Sequence, residues 1–227
     1  MNLPVGTLIN ALAVIAGSGV GLCLGARIPD RVHKTVIHGI GLATLLIGMQ
    51  MALEVRDILL LVFSVLVGAL AGEALDLEKH LNRLVNILKK RIGSKNKNFS
   101  QGLITAFLIY CIGSLTILGA LDEGLRNDPT LLLTKSVLDG FTSIALAATY
   151  GLGVMFSAVP LLIYQGTITI LAGYFQAVFT PVLIAQLTGV GGILVLGLGL
   201  TLLEIREIKI TNLLPALVMV FILQGFL

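Results

Sequence analysis

The sequence predicts an all-α membrane protein, built as a polytopic bundle of transmembrane helices. A run of 64 residues, from Gly140 to Leu203, contains no Asp, Glu, Lys, Arg or His. As a helix this run would extend roughly 96 Å, about three times the thickness of a hydrocarbon core. Hydrophobic residues make up 56% of the chain and charged residues 12%, whereas soluble proteins carry about 25% charged residues. The lipid bilayer is therefore the predicted environment, and most soluble enzyme classes are excluded.

About eight spans follow from the apolar stretches and the polar segments between them. Pro160 and Pro181 mark two turns inside the uncharged run. Residues 1–227 form a single membrane domain in this interpretation. The predicted spans cover residues 6–25, 36–53, 58–75, 102–121, 137–157, 159–179, 182–203 and 210–226.

The charges between spans predict the orientation. The basic segments 27–34 and 79–97 are expected in the cytoplasm, and the acidic or mixed segments 54–57 and 122–128 outside. The N-terminus and the C-terminus are then both outside. A re-entrant segment within residues 140–203 would reverse the end of the chain.

The polar segment after the third span has its own pattern. Apolar residues recur at helical spacing from Leu77 to Ile92, with basic residues alongside, which predicts a basic amphipathic helix on the inner leaflet. Lys79–Lys97 is the expected contact with anionic lipid. A nucleic-acid partner is not expected, because so short a segment between spans is not a soluble basic domain.

An internal repeat relates two distant segments. Residues 39–58 match residues 189–208 at a constant offset of 150, and the charged hexads read Leu-Glu-Val-Arg-Asp-Ile and Leu-Glu-Ile-Arg-Glu-Ile. The predicted orientation places the hexads on opposite faces, so spans 1–3 and 6–8 are predicted to form an inverted repeat, the design that gives alternating access in transporters. The predicted parts are residues 1–76 (repeat unit 1), 77–100 (linker), 101–157 (spans 4 and 5) and 158–227 (repeat unit 2).

Two alternatives to this interpretation stay open. A duplicated scaffold without transport would show the same repeat, and a match of residues 17–20 with 151–154 would pair span 1 with span 5 in parallel. The charged hexads are either ion-paired turns that cap the repeat hairpins or gates that make and break salt bridges. The residues concerned are Glu54, Arg56, Asp57, Glu204, Arg206 and Glu207.

Glycines at every fourth position form two ladders, Gly17, Gly21 and Gly25 in span 1 and Gly68 and Gly72 in span 3. Such small-xxx-small patterns allow helix backbones to approach closely. Helix packing is the expected role. The chain is small for a transporter, so a homodimer is a further expectation, with these ladders as candidate interfaces.

Lys135 and Asp139 are the candidate ionisable site. They lie four residues apart near the entry to span 5, on one face of a helix. Ionisable groups at this depth are costly unless they pair or face a polar cavity. The pair is therefore either a proton, ion or substrate-headgroup site or an interfacial salt bridge. Other polar groups could line a path with it: Asn10, Ser114, Thr116, Ser136, Ser143 and Gln176, with Thr142 and Gln165 also at membrane depth.

The sequence contains no catalytic constellation. His-Glu-x-x-His, Gly-x-Ser-x-Gly and P-loop patterns are all missing. His33 and His38 have no carboxylate or Cys at ligand spacing, and Cys23 and Cys111 lie in apolar stretches, so no metal or cofactor is expected. The function that remains is a small secondary transporter or channel rather than an enzyme. The alternative is a non-transporting scaffold or signalling partner that acts through the basic helix of residues 77–92.

Several motifs together resemble a known family. They are Gly6-Thr7-x-x-Asn10, Gly39-x-Gly41 followed by Gly48, Cys111-x-Gly113 followed by Gly119, and Lys135-Ser136-x-x-Asp139-Gly140. Over essentially its whole length the chain resembles the bacterial integral membrane family catalogued as domain of unknown function 554. The resemblance implies a multi-pass protein of the bacterial cytoplasmic (inner) membrane and supplies no substrate. It also places Asn10, Lys135, Ser136 and Asp139 in the polar motifs of the family.

Overall fold

A computed structural model describes the backbone of residues 4–25, 30–92, 98–111 and 113–224. Within these ranges the side chains of residues 30–34, 36, 82, 84, 86, 88–92 and 114 lie outside the description. Throughout the described residues the regular secondary structure is helical, without a strand. The fold is therefore all-α, as predicted.

The helices follow the apolar stretches. In chain order they are α1 (Val5–Gly25), α2 (Asp30–Ala52), α3 (Ile58–Ala74), α4 (Leu77–Ile92), α5 (Phe99–Cys111), α6 (Ser114–Arg126), α7 (Thr130–Tyr150), α8 (Leu152–Phe156), α9 (Ala158–Ile170), α10 (Ala172–Phe175), α11 (Pro181–Leu202), α12 (Ile210–Leu213) and α13 (Pro215–Gln224). By length and composition α1, α7, α11 and the segment Leu152–Ile170 can each cross a membrane, and α5 and α6 would add a fifth span if they count as one bent helix.

The described chain divides into two compact units, unit 1 (Met1–Val36 and Asn96–Thr180) and unit 2 (Ile37–Lys95 and Pro181–Leu227). Each unit combines segments from both halves of the sequence. Each is therefore held together by helix contacts between residues that are far apart in sequence.

In unit 1, α1 packs lengthwise along α7 in the same direction. Gly17 lies against Gly140, Gly21 against the Ile144 carbonyl and Gly25 against Ala148, at such short range that a Cβ at any of the three would overlap the α7 backbone. Glycine allows this approach because it has no side chain. The glycine ladder of α1 thus fixes the register between the two helices.

Two residues between α6 and α7 determine where α7 begins. Asp128 accepts hydrogen bonds from the backbone N–H and the hydroxyl of Thr130, at 3.0 and 2.6 Å, and Asn127 ends α6 in the left-handed conformation that Asn tolerates. The helix therefore starts at Thr130, whereas the sequence predicts a span from residue 137. Lys135 and Asp139 lie in its second and third turns and not at its entry, which corrects the predicted position.

The predicted span 4 is bent in the structure. The axes of α5 and α6 differ by 59°, and the Thr116 hydroxyl at the start of α6 donates a 2.8 Å hydrogen bond to the Tyr110 carbonyl near the end of α5. A side chain that pairs with a freed carbonyl is how a helix break is tolerated at membrane depth. Predicted span 6 also differs, because the helix over Leu152–Ile170 begins earlier and ends at a break at Leu171.

In unit 2, the two copies of the sequence repeat pack against each other in opposite directions. Gly41 contacts Leu203, Gly48 contacts Leu196, and Gly192 contacts Ala52. The residue numbers rise along α2 while they fall along α11, so the two helices are antiparallel.

The next helix of each copy repeats this arrangement. Gly68 of α3 lies against Ala216 of α13, and Gly72 lies against the Asn212 backbone of α12. These helices are antiparallel as well. Both glycine ladders are thus covered by helices of the same chain, so the expectation that they are interfaces for a second copy is wrong: their close contacts are already occupied.

The helix α4 has the bounds that the sequence predicts, Leu77–Ile92. The N–H of Glu78 donates to the Asn212 side chain at 2.8 Å, and Asn212 in turn donates to Glu73 at 2.6 Å. Lys209 also donates to Glu73, at 3.0 Å. Asn212 therefore connects the start of α4 to the end of α3.

Candidate functional site

The centre of the candidate site is a buried ion pair on α7. Lys135 donates to Asp139 Oδ2, and the two residues are 6% and 5% exposed. Their spacing of four residues places both side chains on one helix face. In a low-dielectric interior neither charge is tolerated without the other.

Two amide side chains extend this pair to other helices. Asn10 of α1 donates from Nδ2 to Asp139 Oδ2 at 3.0 Å and to Gln165 Oε1 of α9 at 3.4 Å. Both amides are fully buried. Within the described chain Asn10 Oδ1 and Gln165 Nε2 have no hydrogen-bond partner. Helices α1, α7 and α9 thus meet at a network with one acceptor and one donor unused.

An aromatic side chain covers the lysine. The ammonium of Lys135 lies 5.8 Å from the centre of the Tyr110 ring, within the range of a cation–π contact. The hydroxyl of Tyr110 is 2.7 Å from Ser143 Oγ, so a residue of α5 is tied to the same helix. All three side chains are buried.

A second polar cluster lies at the N-terminal end of α1. Glu123 of α6 accepts a hydrogen bond from the Gly6 N–H, and its other oxygen lies 3.4 Å from the Thr7 hydroxyl. That hydroxyl is 3.4 Å from the hydroxyl of Thr169 on α9. Glu123 is 4% exposed. Within the described chain no lysine or arginine is within 4.0 Å of it.

The other predicted path residues are placed in different ways. Ser136 is buried and donates to the Leu132 carbonyl of its own helix. Thr116 bridges the α5–α6 break, as described above. Gln176 follows α10 and is exposed, away from the network. The side chain of Ser114 lies outside the described residues.

The charged hairpin residues form no ion pairs among the described residues. Asp57 instead caps α3, accepting hydrogen bonds from the N–H groups of Leu59 and Leu60. In the second hairpin Glu204 has a positive φ of 56°, and Thr201 Oγ1 accepts the Ile208 N–H at 3.2 Å. Of the two alternatives for these turns, the ion-paired form is not found among the described residues, where capping and backbone contacts close the turns; the gating role stays a prediction.

Sequence reasoning did not single out Glu123, Thr7, Thr169 or Tyr110. Glu123 was assigned to an external acidic loop, but α6 continues to Arg126 and keeps it on a helix. The Asn127 cap is the signal that could have extended that helix. Tyr110 and Thr169 give no local signal, since their roles depend on contacts with distant residues.

The described residues bring no three of His, Cys, Asp and Glu close enough together to hold a metal ion. What unit 1 provides is a fixed charge pair, unused amide groups beside it and a second carboxylate nearby. Such groups can accept and release a proton or bind a small ion or polar solute.

Comparison with known proteins agrees with a membrane protein. Residues 5–224 match the model of a family described as "Protein of unknown function (DUF554)". The chain is 37% identical to the "Uncharacterized membrane protein YdfK" of Bacillus subtilis (strain 168), over 97% of each chain. It is 34% identical to the "Uncharacterized protein YqgA" of Escherichia coli (strain K12), over 96% of this chain and 94% of that one. No solved structure matches.

Proposed function

The chain belongs to the DUF554 family of proteins of unknown function, and on that premise we propose that it is a small secondary transporter or channel for a small solute or ion. The observation that carries the proposal is the buried Lys135–Asp139 pair, with its hydrogen bond to Asn10. Ionisable groups inside membrane helices are rare because they are costly, and they mark ion pathways, proton relays and substrate sites.

The incomplete hydrogen bonding around the pair supports a binding role. A buried polar atom that makes no hydrogen bond costs about 1–3 kcal/mol. Asn10 Oδ1 and Gln165 Nε2 have no partner in the described chain. An acceptor and a donor beside a fixed charge pair are suited to a small polar ligand or to water on its path.

The antiparallel packing of the repeat copies supports the proposed inverted repeat. Helix α2 pairs with α11 and α3 with α12–α13, and each pair joins segments that are related by the offset of 150. Three shorter apolar helices, Ile37–Ala52, Ile58–Ala74 and Ile210–Gln224, add to the long helices and the bent pair. An arrangement of eight spans with repeat units 1–76 and 158–227 accommodates all of these segments. An inner-membrane protein with its N-terminus outside follows from the charge pattern.

The decisive experiment is uptake into proteoliposomes from a uniformly ¹³C-labelled bacterial metabolite extract supplemented with Na⁺, K⁺ and Li⁺ salts. The vesicle contents are read by mass spectrometry. We expect at least one component to accumulate with the wild-type protein and not with Asp139→Asn. The asparagine retains an acceptor for Asn10 but leaves the Lys135 cation without its partner, so every variant is reconstituted only from the folded, monodisperse fraction.

The matched control is Asp128→Asn, which removes an exposed acid from the start of the same helix. It should transport like the wild type. Vesicle contents that are the same for wild type, Asp139→Asn and empty liposomes would refute the proposal.

The second candidate function is a scaffold or signalling partner that acts through the basic helix α4. Two observations support this candidate. The helix α4 has the predicted bounds, and it carries exposed basic residues, Lys79 and Arg83. Charge reversal at Lys89, Lys90 and Arg91 should then release a co-purifying protein and leave uptake unchanged. Uptake that depends on Asp139 would instead assign α4 to the proposed contact with anionic lipid.

A further inference from the structure

We infer that Thr7, Glu123 and Thr169 form a binding site for Na⁺, the coupling ion of the transport proposed above. The role of Na⁺ as the coupling ion rests on the proposed function, whereas the binding of Na⁺ does not depend on it. The three side chains come from α1, α6 and α9, and all are buried. The Thr7 hydroxyl is the common neighbour of the Glu123 carboxylate and the Thr169 hydroxyl.

The spacing of these oxygens also suits a shared cation. Thr7 Oγ1 is 3.4 Å from Glu123 Oε2 and 3.4 Å from Thr169 Oγ1. Hydrogen bonds between oxygens are normally about 2.7–2.8 Å long. Ca²⁺, which is close to Na⁺ in ionic radius, takes oxygen ligands at about 2.4 Å, so two ligands at a right angle lie about 3.4 Å apart. The contacts are long for hydrogen bonds and suited to cation ligands.

The charge of the cluster selects a monovalent ion. Glu123 is the one acid of the site, and no lysine or arginine of the described chain is within 4.0 Å of it. A single carboxylate balances a single positive charge, whereas Ca²⁺ sites use several carboxylates and six to eight oxygens. A buried carboxylate without a cation would be costly, and Na⁺ removes that cost.

The end of α9 adds a favourable field. Thr169 lies in the last turn of α9, which stops at Ile170 before the break at Leu171. The last carbonyls of a helix form its negative end, and in α9 those of Thr167 and Thr169 accept the N–H of Leu171. Broken membrane helices in transporters use such carbonyls to coordinate Na⁺. Gly6, whose N–H donates to the other oxygen of Glu123, holds that carboxylate in place.

Two helices connect this site to the Lys135–Asp139 network. On α1, Thr7 and Asn10 are three residues apart, and on α9, Gln165 and Thr169 are four apart, so each pair shares a helix face. A cation that draws Thr7 and Thr169 together would also set the contact between Asn10 and Gln165. Occupancy of one site would thereby change the geometry of the other, which is the requirement for coupling.

The test is a sodium titration of the full chain in lipid nanodiscs, read as the thermal unfolding temperature. Choline chloride replaces sodium chloride so that the ionic strength stays constant. We expect a saturable rise in the unfolding temperature with Na⁺ for the wild type, which Glu123→Gln removes. Asp122→Asn, at the neighbouring half-buried acid that pairs with Arg126, is the matched control and should keep the full response.

A second variant protects the test against misfolding. Thr169→Val replaces a hydroxyl by a methyl group of similar size, and it should raise the Na⁺ concentration for half-maximal stabilisation by about tenfold, as lost ligand support does at metal sites. Equal unfolding temperatures in sodium and choline, an equal response to K⁺, or an unchanged response in both variants would overturn the site.

The titration also separates this inference from the proposed function. A nanodisc has no second compartment, so binding is measured whether or not the protein transports. Asp139→Asn should abolish uptake and retain the stabilisation by Na⁺. If stabilisation is seen without any uptake by the wild type, the cation site stands and the transport proposal fails.

Discussion

At the scale of single residues, the Lys135–Asp139 pair shows how desolvation and attraction balance. Each residue is almost fully buried, so each charge depends on the other. Removing one partner of a buried pair leaves an uncompensated charge, whereas replacing both by apolar residues is often neutral or stabilising. The pair therefore adds little net stability, because its desolvation offsets its attraction. This balance favours a functional reason for its presence.

A double-mutant comparison tests this balance. Lys135→Met should lower the free energy of unfolding by about 3–5 kcal/mol, because it leaves the Asp139 carboxylate buried without its cation. The double variant with Asp139→Leu should recover most of that loss. Both are measured by unfolding in detergent. If the double variant loses as much free energy of unfolding as the two single variants together, the charged pair contributes net stability.

A second prediction at this scale concerns Asn10. Asn10→Ala removes both hydrogen bonds to Asp139 and Gln165 and should cost about 1–3 kcal/mol of stability. Ser18→Ala on the same helix is the control, because Ser18 Oγ is buried and without a partner in the described chain. That substitution removes a hydroxyl that makes no hydrogen bond and should keep or raise stability. Equal effects of the two variants would mean that the Asn10 contacts are not formed.

At the scale of the helices, close backbone contact at glycines determines which elements meet. A Cβ at Gly72 would overlap the Asn212 carbonyl, whereas a Cβ at Gly39 would meet no atom within 4 Å. Gly72→Ala should therefore separate α3 from α12 and lower the unfolding temperature. Gly39→Ala should leave it unchanged or raise it, since Ala favours a helix over Gly by up to about 1 kcal/mol. Thermal unfolding of the two variants in the same detergent decides between these outcomes.

The start of α7 allows a test of pH dependence. Hydrogen bonds from the Thr130 side chain and backbone hold the pKa of Asp128 below its ordinary value. The carboxylate therefore stabilises the folded chain at any pH above its unfolded pKa of about 3.9, and this contribution is lost as the pH falls through the folded pKa. Asp128→Ala should lower the unfolding temperature at neutral pH, and the difference from wild type should shrink in acid. A difference that is independent of pH would mean that the cap does not depend on charge.

At the scale of the whole molecule, the proposed orientation of the two repeat copies can be tested directly. The positions Arg56 and Arg206 lie in equivalent charged turns and are exposed. With Cys23 and Cys111 replaced by alanine, Arg56→Cys and Arg206→Cys should react with a membrane-impermeant maleimide from opposite compartments. Labelling of both positions from the same side would refute the inverted repeat and, with it, the proposal of alternating access.

Much of the element order is readable from hydropathy alone. The predicted spans over residues 58–75 and 182–203 differ from α3 and α11 by one residue at the ends, and α4 has its predicted bounds. The predicted span begins at residue 137, seven residues after the start of α7, and so leaves Lys135 outside the span and Asp139 just inside it. Only their mutual neutralisation within the helix makes that segment part of a span.

The sequence by itself determined the class of protein, the apolar segments, the offset of 150 between the repeat copies and the choice of Lys135, Asp139 and Asn10 as candidates. These follow from local properties, since hydropathy and helical spacing depend only on the residues of a short stretch of chain. The tertiary structure decided that Asn10 meets Gln165, that Glu123 meets Thr7 and Thr169, and that the repeat copies pack antiparallel. Those contacts join residues more than a hundred positions apart, and they form only where glycines allow the helix backbones to approach.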